Sequence, residues 1–252
     1  MFRKTVRLQN FILVVSGLLL VTSARAQEKR DLAALGAQLK SKEISIRRTA
    51  IEKLADLNVP ESVDLLISAL SDSEQEVRRD AAFALGEKRA AKAIDPLIRL
   101  LGSEATGDHG IGISALGMIG GEKARETLLR LLKSTSAEER DSVTVALGSM
   151  RDPQTVEPLT LLLQDKSATV RASAAGSLGK TGDKRAVDAL LQALKDESEG
   201  VRVNAVLSLG ELKDRRVIEV LEKLSQQEKS AQVRQQIEYA LQQLRALPTQ
   251  KQ

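Results

Sequence analysis

The sequence predicts an all-α fold, an α-solenoid (superhelix) of about seven two-helix units, each 31 residues long, and three observations predict it. One leucine series runs Leu35, Leu66, Leu97, Leu128, Leu159, Leu190 and Leu221. A second runs Leu54, Leu85, Leu116, Leu147, Leu178, Leu209 and Leu241. Both step by 31 residues, save a final step of 32 in the second series. A fixed period of this size marks stacked helical pairs, because a single pair cannot bury its apolar face without a neighbour on each side. The third observation is helical spacing within each period, as at Val187, Leu190, Leu191 and Leu194 and again at Val201, Ala205, Leu209 and Leu212.

Residues 1–26 stand outside this pattern. Arg3, Lys4 and Arg7 precede the apolar run Phe11 to Val21, and Ala24-Arg25-Ala26 follows. This order reads as a secretory signal peptide cleaved before Gln27. The apolar run has eleven residues, whereas a membrane span needs about twenty. The mature chain is therefore expected to make no stable membrane insertion and to reach a bacterial periplasm, with secretion as the alternative. The chain has no cysteine, which excludes a lipid-anchored cysteine, disulfides and thiolate metal sites.

Cleavage also removes the apparent basic character. The net charge of +4 comes from Arg3, Lys4, Arg7 and Arg25, so 34 basic residues then face 34 acidic ones. A balanced chain lacks the excess of Lys and Arg that phosphate neutralisation needs, and a nucleic-acid partner is not expected.

The units begin near Glu28, Val59, Ala90, Gly121, Asp152, Asp183 and Asp214, and the solenoid is expected to occupy residues 27–247, with a frayed tail at 248–252. Asp196 to Gly200 forms a turn between the two helices of the sixth unit. Gly182-Asp183 joins a helix-ending glycine to a residue suited to cap the next helix, and Asp152 and Asp214 share that slot. The first helix of each unit is rich in leucine, the second in alanine (Ala81, Ala82, Ala84, Ala174, Ala175, Ala205). Small residues let helices approach closely, which places the second helices on the concave side. Gly86, Gly117, Gly148, Gly179 and Gly210 fit the same role of close contact. At the two ends Glu52, Lys53 and Gln242 replace small or apolar residues, as terminal capping units require.

The pattern VR..AA..LG..GD.RAV..L...L.D, carried by Val170 to Asp196, closely resembles the HEAT-like repeats of the phycobilisome lyase family. That resemblance implies the solenoid fold but spans lyase subunits, a hydroxylase and plain binding scaffolds. Deoxyhypusine hydroxylase builds a two-iron centre from several His-Glu pairs, and the single histidine here, His109, cannot supply them. No cofactor is expected, and no residue specifies a chromophore.

Several residue columns remain as candidates for function. Arg47, Arg78, Arg140, Arg171, Arg202 and Arg234 open second helices, with His109 in the third slot, and Asp72, Asp165 and Asp196 lie six residues ahead of their arginines. A ladder of Asp-Arg contacts across the inter-helix turns is the structural reading and anion binding the functional one. Asp64, Asp95, Glu126, Glu157, Asp188 and Glu219 lie where the positive end of each first helix favours acid. The glycines from Gly102 to Gly121 fit no phosphate loop, and describe either a degenerate third unit or a hinge.

The mature chain has two aromatic residues, Phe83 and Tyr239, in one repeat column with Val145 and Leu207. At 100° per residue this column lies opposite the buried face of the second helix. Neighbouring columns add Ile111, Met118 and Val203, among polar residues such as Lys180, Asn204 and Glu211. Apolar anchors in a polar surround describe a protein-binding patch. The expected function is noncovalent binding of a protein or extended peptide along the groove, with an accessory or lyase-like subunit as the alternative.

Overall fold

The computed structural model describes residues 27–102 and 107–247. The expected signal peptide and the tail from Pro248 lie outside these residues. The described chain is helical throughout, with no strand. No helix in it is long and apolar enough to cross a membrane.

Fourteen α-helices follow one another in the described residues: α1 (27–38), α2 (Ile44–Asp56), α3 (Pro60–Ala69), α4 (Gln75–Glu87), α5 (Ile94–Leu101), α6 (Asp108–Ile119), α7 (Glu122–Leu131), α8 (Ala137–Ser149), α9 (Val156–Leu162), α10 (Ala168–Thr181), α11 (Val187–Ala193), α12 (Glu199–Glu211), α13 (Ile218–Gln227) and α14 (Ala231–Arg245). Odd-numbered helices are the first of each pair and even-numbered ones the second. Both leucine series are buried along their whole length, from Leu35 to Leu241. Burying an aliphatic side chain of this size contributes about 2 kcal/mol, which explains why leucine is the residue that repeats.

The chain divides into two compact units, one ending at Ala84 and the other beginning at Leu85, so the boundary falls inside α4. In the first unit α2 packs on α3 over Ile51, Leu54 and Leu66. Glu52 and Lys53 are exposed there, as an end unit requires. In the second unit the even-numbered helices pack in sequence, α6 on α8, α8 on α10, α10 on α12 and α12 on α14. The odd-numbered helices of that unit touch one another far less. The alanine-lined helices thus form the tight layer, as their small residues predict.

Glycine makes that approach possible. A Cβ on Gly117 would stand 2.7 Å from the Ala146 backbone, one on Gly148 would stand 2.9 Å from Ser177 Cα, and one on Gly179 2.8 Å from Ser208 Cα. Each glycine therefore rests on the small residue two places before the next glycine of the series. Ser177 Oγ donates to the Thr144 carbonyl at 3.0 Å and Ser208 Oγ to the Ala175 carbonyl at 2.8 Å, so the two buried hydroxyls also tie adjacent helices together. These two bonds have no counterpart in the sequence pattern.

The links between units follow the expected capping with one addition. Asp152, Asp183 and Asp214 each accept a backbone N–H two residues on, yet each opens a short 3-10 turn (Pro153–Thr155, Lys184–Ala186, Arg215–Val217) before its α-helix begins. Gly182 ends α10 in the left-handed region at φ 69°, as its position predicts. The same slot has a positive φ in other units too, at Arg89 (φ 47°), Arg151 (φ 50°) and Lys213 (φ 52°), and at Gly120, where φ 75° goes with an extended ψ of −164°. A side chain there costs about 1 kcal/mol relative to glycine, and only the geometry reveals the shared requirement.

A trough across the second helices as candidate interface

The groove column can be traced within the second compact unit. Val145, Gly176, Lys180, Asn204, Leu207 and Glu211 line a depression of about 280 Å3 across α8, α10 and α12. Leu207 and Glu211 continue into a depression of about 420 Å3, whose wall includes Lys213, Tyr239, Gln243 and Leu247. One open trough therefore crosses four helices' worth of surface from α8 to α14. Val145 is 41% exposed and Tyr239 55%, large fractions for apolar side chains on well-packed helices. Asn204 Nδ2 donates to the Ala172 carbonyl at 3.0 Å, which fixes the side chain on the trough floor. Gly176 leaves the floor low, since a Cβ there would meet nothing closer than Asn204 Cγ at 3.9 Å.

The remaining expected anchors separate from this trough. Phe83 is 54% exposed but belongs to the first compact unit. Ile111 and Val203 are half-buried on α6 and α12 and line neither depression. Met118 is half-buried as well, and its side chain fills the notch at Gly86, where a Cβ would stand 3.0 Å from Met118 Sδ. Met118 is thereby a packing residue first, a correction to its reading as a groove anchor.

The arginine row is a structural ladder, but its side-chain pairs join neighbouring units instead of crossing the inter-helix turn as expected, a correction to the register. Arg171 reaches Asp196 of the following unit through Nε and Nη2, at 2.8 and 3.0 Å, while its Nη1 donates to the Asp165 carbonyl six residues back. The carboxylate ahead of each arginine thus serves the arginine of the previous unit. Arg47–Asp72, Arg140–Asp165 and Arg202–Glu228 repeat the arrangement. Each carboxylate also accepts the backbone N–H two residues on, as Asp196 does from Ser198 at 2.8 Å. The Arg171 guanidinium, and secondarily that N–H, holds the Asp196 carboxyl below its ordinary range against the opposing effect of burial. Asp165 beside Arg140 and Glu228 beside Arg202 are lowered by the same causes. Guanidinium groups engaged in this way are not available to an external anion.

His109 occupies the arginine slot with a different partner. Its Nε2 lies 2.5 Å from Glu139 Oε1 on α8 and its Nδ1 2.9 Å from the Leu101 carbonyl on α5. The ladder register would have paired it with residue 134, which is a serine. Hydrogen bonding from Ser134, then from His109, keeps the Glu139 carboxyl below its usual range although burial opposes it. Spacing along the chain offers His109 no partner, and its departure from arginine in the repeat column is the signal that sets it apart.

The acidic column on the first helices lies within a second set of local charges. Asp95 pairs with Lys123 at 2.5 Å, and the charges of Glu157 and Asp188 act on Arg185 and Arg216. Arg185 and Arg216 themselves hold Asp183 and Asp214, each at 2.7 Å. These acids are balanced by bases of the next unit, in keeping with a structural role. Among the third unit's glycines, Gly112 is a close-contact position, a Cβ there standing 2.7 Å from Leu101 Cδ2, and α6 runs unbroken through it.

The architecture has well-defined relatives. The complex of CpcE and CpcF of phycocyanin lyase from a Nostoc species is 21% identical over 84% of this chain and 94% of its own, with a TM-score of 0.54. YibA of Escherichia coli is 19% identical over 87% of this chain and 82% of its own, with a TM-score of 0.53. The Kap95:Nup1 complex is 14% identical over 87% of this chain but only 36% of its own, with a TM-score of 0.64. At these identities the likeness is one of fold. No curated protein matches the chain. The family model of HEAT repeats, by contrast, matches residues 32–108, 111–175 and 156–242, nearly the whole of the described chain. With its leucine series buried and its paired helices stacked at that period, the chain belongs to the HEAT-repeat family.

Proposed function

We propose that this HEAT-repeat chain is exported after loss of residues 1–26 and acts as a noncovalent binding platform for an extended protein segment. The observation that carries the reading is the continuous open trough from Val145 through Leu207 to Tyr239, whose apolar side chains stand among Lys180, Asn204, Glu211 and Gln243. Three helix-to-helix steps at ~10 Å span roughly 30 Å. That length accommodates about nine residues of extended chain. A small metabolite would leave most of such a surface wet, whereas a peptide can fill it. Support from the relatives is of a general kind: two of the similar structures are complexes between proteins, CpcE with CpcF and Kap95 with Nup1.

The binding reading is tested by photo-crosslinking groups placed at positions 145, 207 and 239 of the full mature chain in its native envelope, with position 188 as the outer-face control. A partner captured only from the trough positions is then titrated against variants. Leu207→Ala and Tyr239→Ala should each weaken binding by about fivefold or more, as hot-spot truncations do, with thermal unfolding nearly unchanged. Loss of stability comparable to a core variant, or unaltered affinity, would refute the assignment. Phe83→Ala in the same assay tells whether the first unit takes part. Export is tested separately by mass spectrometry of the native protein, which should begin at Gln27; an intact Met1 in a cytosolic fraction contradicts it.

A further inference from the structure

We infer that the α6–α8 joint is a proton-responsive clasp, closed by a charged His109 and loosened when that ring becomes neutral. Four other joints are spanned by an arginine whose charge is permanent, at Arg47–Asp72, Arg140–Asp165, Arg171–Asp196 and Arg202–Glu228. At the third unit both members of the rung are exchanged, arginine for His109 and the carboxylate for Ser134. Glu139, in the first turn of α8, supplies the missing negative charge at 2.5 Å from His109 Nε2.

The ring's second nitrogen faces the Leu101 carbonyl at 2.9 Å. A backbone carbonyl and an ionised carboxylate both accept and neither donates. Only the imidazolium has an N–H for each. A neutral ring keeps one N–H, so a lone pair then points at an oxygen of α5 or of α8, and one of the two ties becomes a repulsion. Protonation of Glu139 is not an easy escape, because the Ser134 hydroxyl and His109 itself stabilise its ionised form. The groups around the ring are negative rather than positive. Among the described residues, Glu138 and Glu139 of α8 line the depression that holds it, the Leu101 carbonyl reaches it from α5, no residue of α7 joins that lining, and on α6 the preceding Asp108 is buried. The side chain of His109 is 40% exposed, so its proton exchanges with solvent without opening the core.

Histidine is the one side chain whose ordinary titration falls between about pH 5 and 8, and this chain has a single histidine. A pH response of the joint that disappears in a His109 variant is therefore attributable to this residue. The test is amide hydrogen exchange on the full mature chain at about pH 5.5 and pH 8, corrected for intrinsic rates, with His109 protonation followed by NMR. The stretch Gly107–Gly117 is compared with Thr169–Gly179, whose rung is an arginine. Protection of the first stretch relative to the second should fall about threefold or more as the pH rises. His109→Arg should abolish that dependence, and His109→Gln should show the weakened ratio at both pH values. A wild-type ratio that does not change, or an equal change in His109→Arg, overturns the clasp; if neither variant folds, the wild-type ratio alone decides.

Discussion

The joint between α10 and α12 and the joint between α6 and α8 are built on one plan with different chemistry. In the first, Gly179 seats against Ser208, the Ser208 hydroxyl bonds across to the Ala175 carbonyl, and Arg171 grips Asp196 with two nitrogens. In the second, Gly117 seats against Ala146, which has no hydroxyl to offer, and the rung is His109 on Glu139. Close packing is common to both, while the polar fastening is not. A repeat protein can therefore hold its spacing constant and vary how firmly, and under which conditions, neighbouring units are held together.

The largest expected effects ask whether the apolar part of the two joints is equal. Leu178 and Leu116 are both fully buried. Leu178→Ala and Leu116→Ala should each destabilise by about 2 to 5 kcal/mol in chemical denaturation. A clearly smaller loss at Leu116 would mean that the α6–α8 joint is already loose in its core, and the comparison would no longer be one of polar fastening alone.

Glycine sharpens the same point at the next level. Gly179→Ala drives a Cβ into the Ser208 backbone and should cost about 1 to 3 kcal/mol, as overpacking does. Gly110→Ala should instead stabilise by about 1 kcal/mol, because no atom of the described residues outside its own helix turn lies within 4 Å of the added Cβ and alanine is the better helix former. Thermal unfolding of the two variants should shift in opposite directions. Equal losses would show that the third unit's glycines serve packing throughout.

Acid separates the fastenings. The Asp196 carboxyl is depressed in the folded chain, so its contribution is complete above the unfolded value of about 3.9 and is lost as the pH falls through the lower folded value. Asp196→Asn should cost about 1 to 2 kcal/mol at neutral pH, for the loss of charge-assisted bonds. That difference should stay constant down to about pH 5 and shrink below pH 4. A difference that instead appears only above neutrality would reverse the assignment of the two kinds of joint.

The repeating part of this architecture was open to inspection in the sequence because burial and helix contact act on single residue types at a fixed period. Leucine marks what must be dry, and glycine marks where two backbones meet. Glycine fills the positive-φ slot at Gly120 and Gly182, whereas Arg89, Arg151 and Lys213 adopt a positive φ there without the residue that would announce it. The ladder's register escaped because an aspartate six residues from one arginine and 25 from another is ambiguous until the chain is folded. In the trough, Val145, Leu207 and Tyr239 were legible from their place opposite the core, and Lys180, Asn204 and Glu211 from the columns beside them. Met118 was not, because its neighbour Gly86 turns an apparently outward methionine into a plug.

The offset between stacked glycines has a geometric consequence for anything lying across α8 to α14. Gly148 sits level with Ser177, two residues short of the next glycine in the series, and Gly179 sits level with Ser208 in the same way. Each helix is therefore slid along its axis by two residues, or about 3 Å at 1.5 Å per residue. Equivalent positions consequently climb like the treads of a stair, rising about 3 Å for every ~10 Å crossed. A strand following Val145, Leu207 and Tyr239 crosses the helices on a diagonal of that slope. A segment lying in the proposed trough would therefore have to cross the helices obliquely rather than at right angles to them.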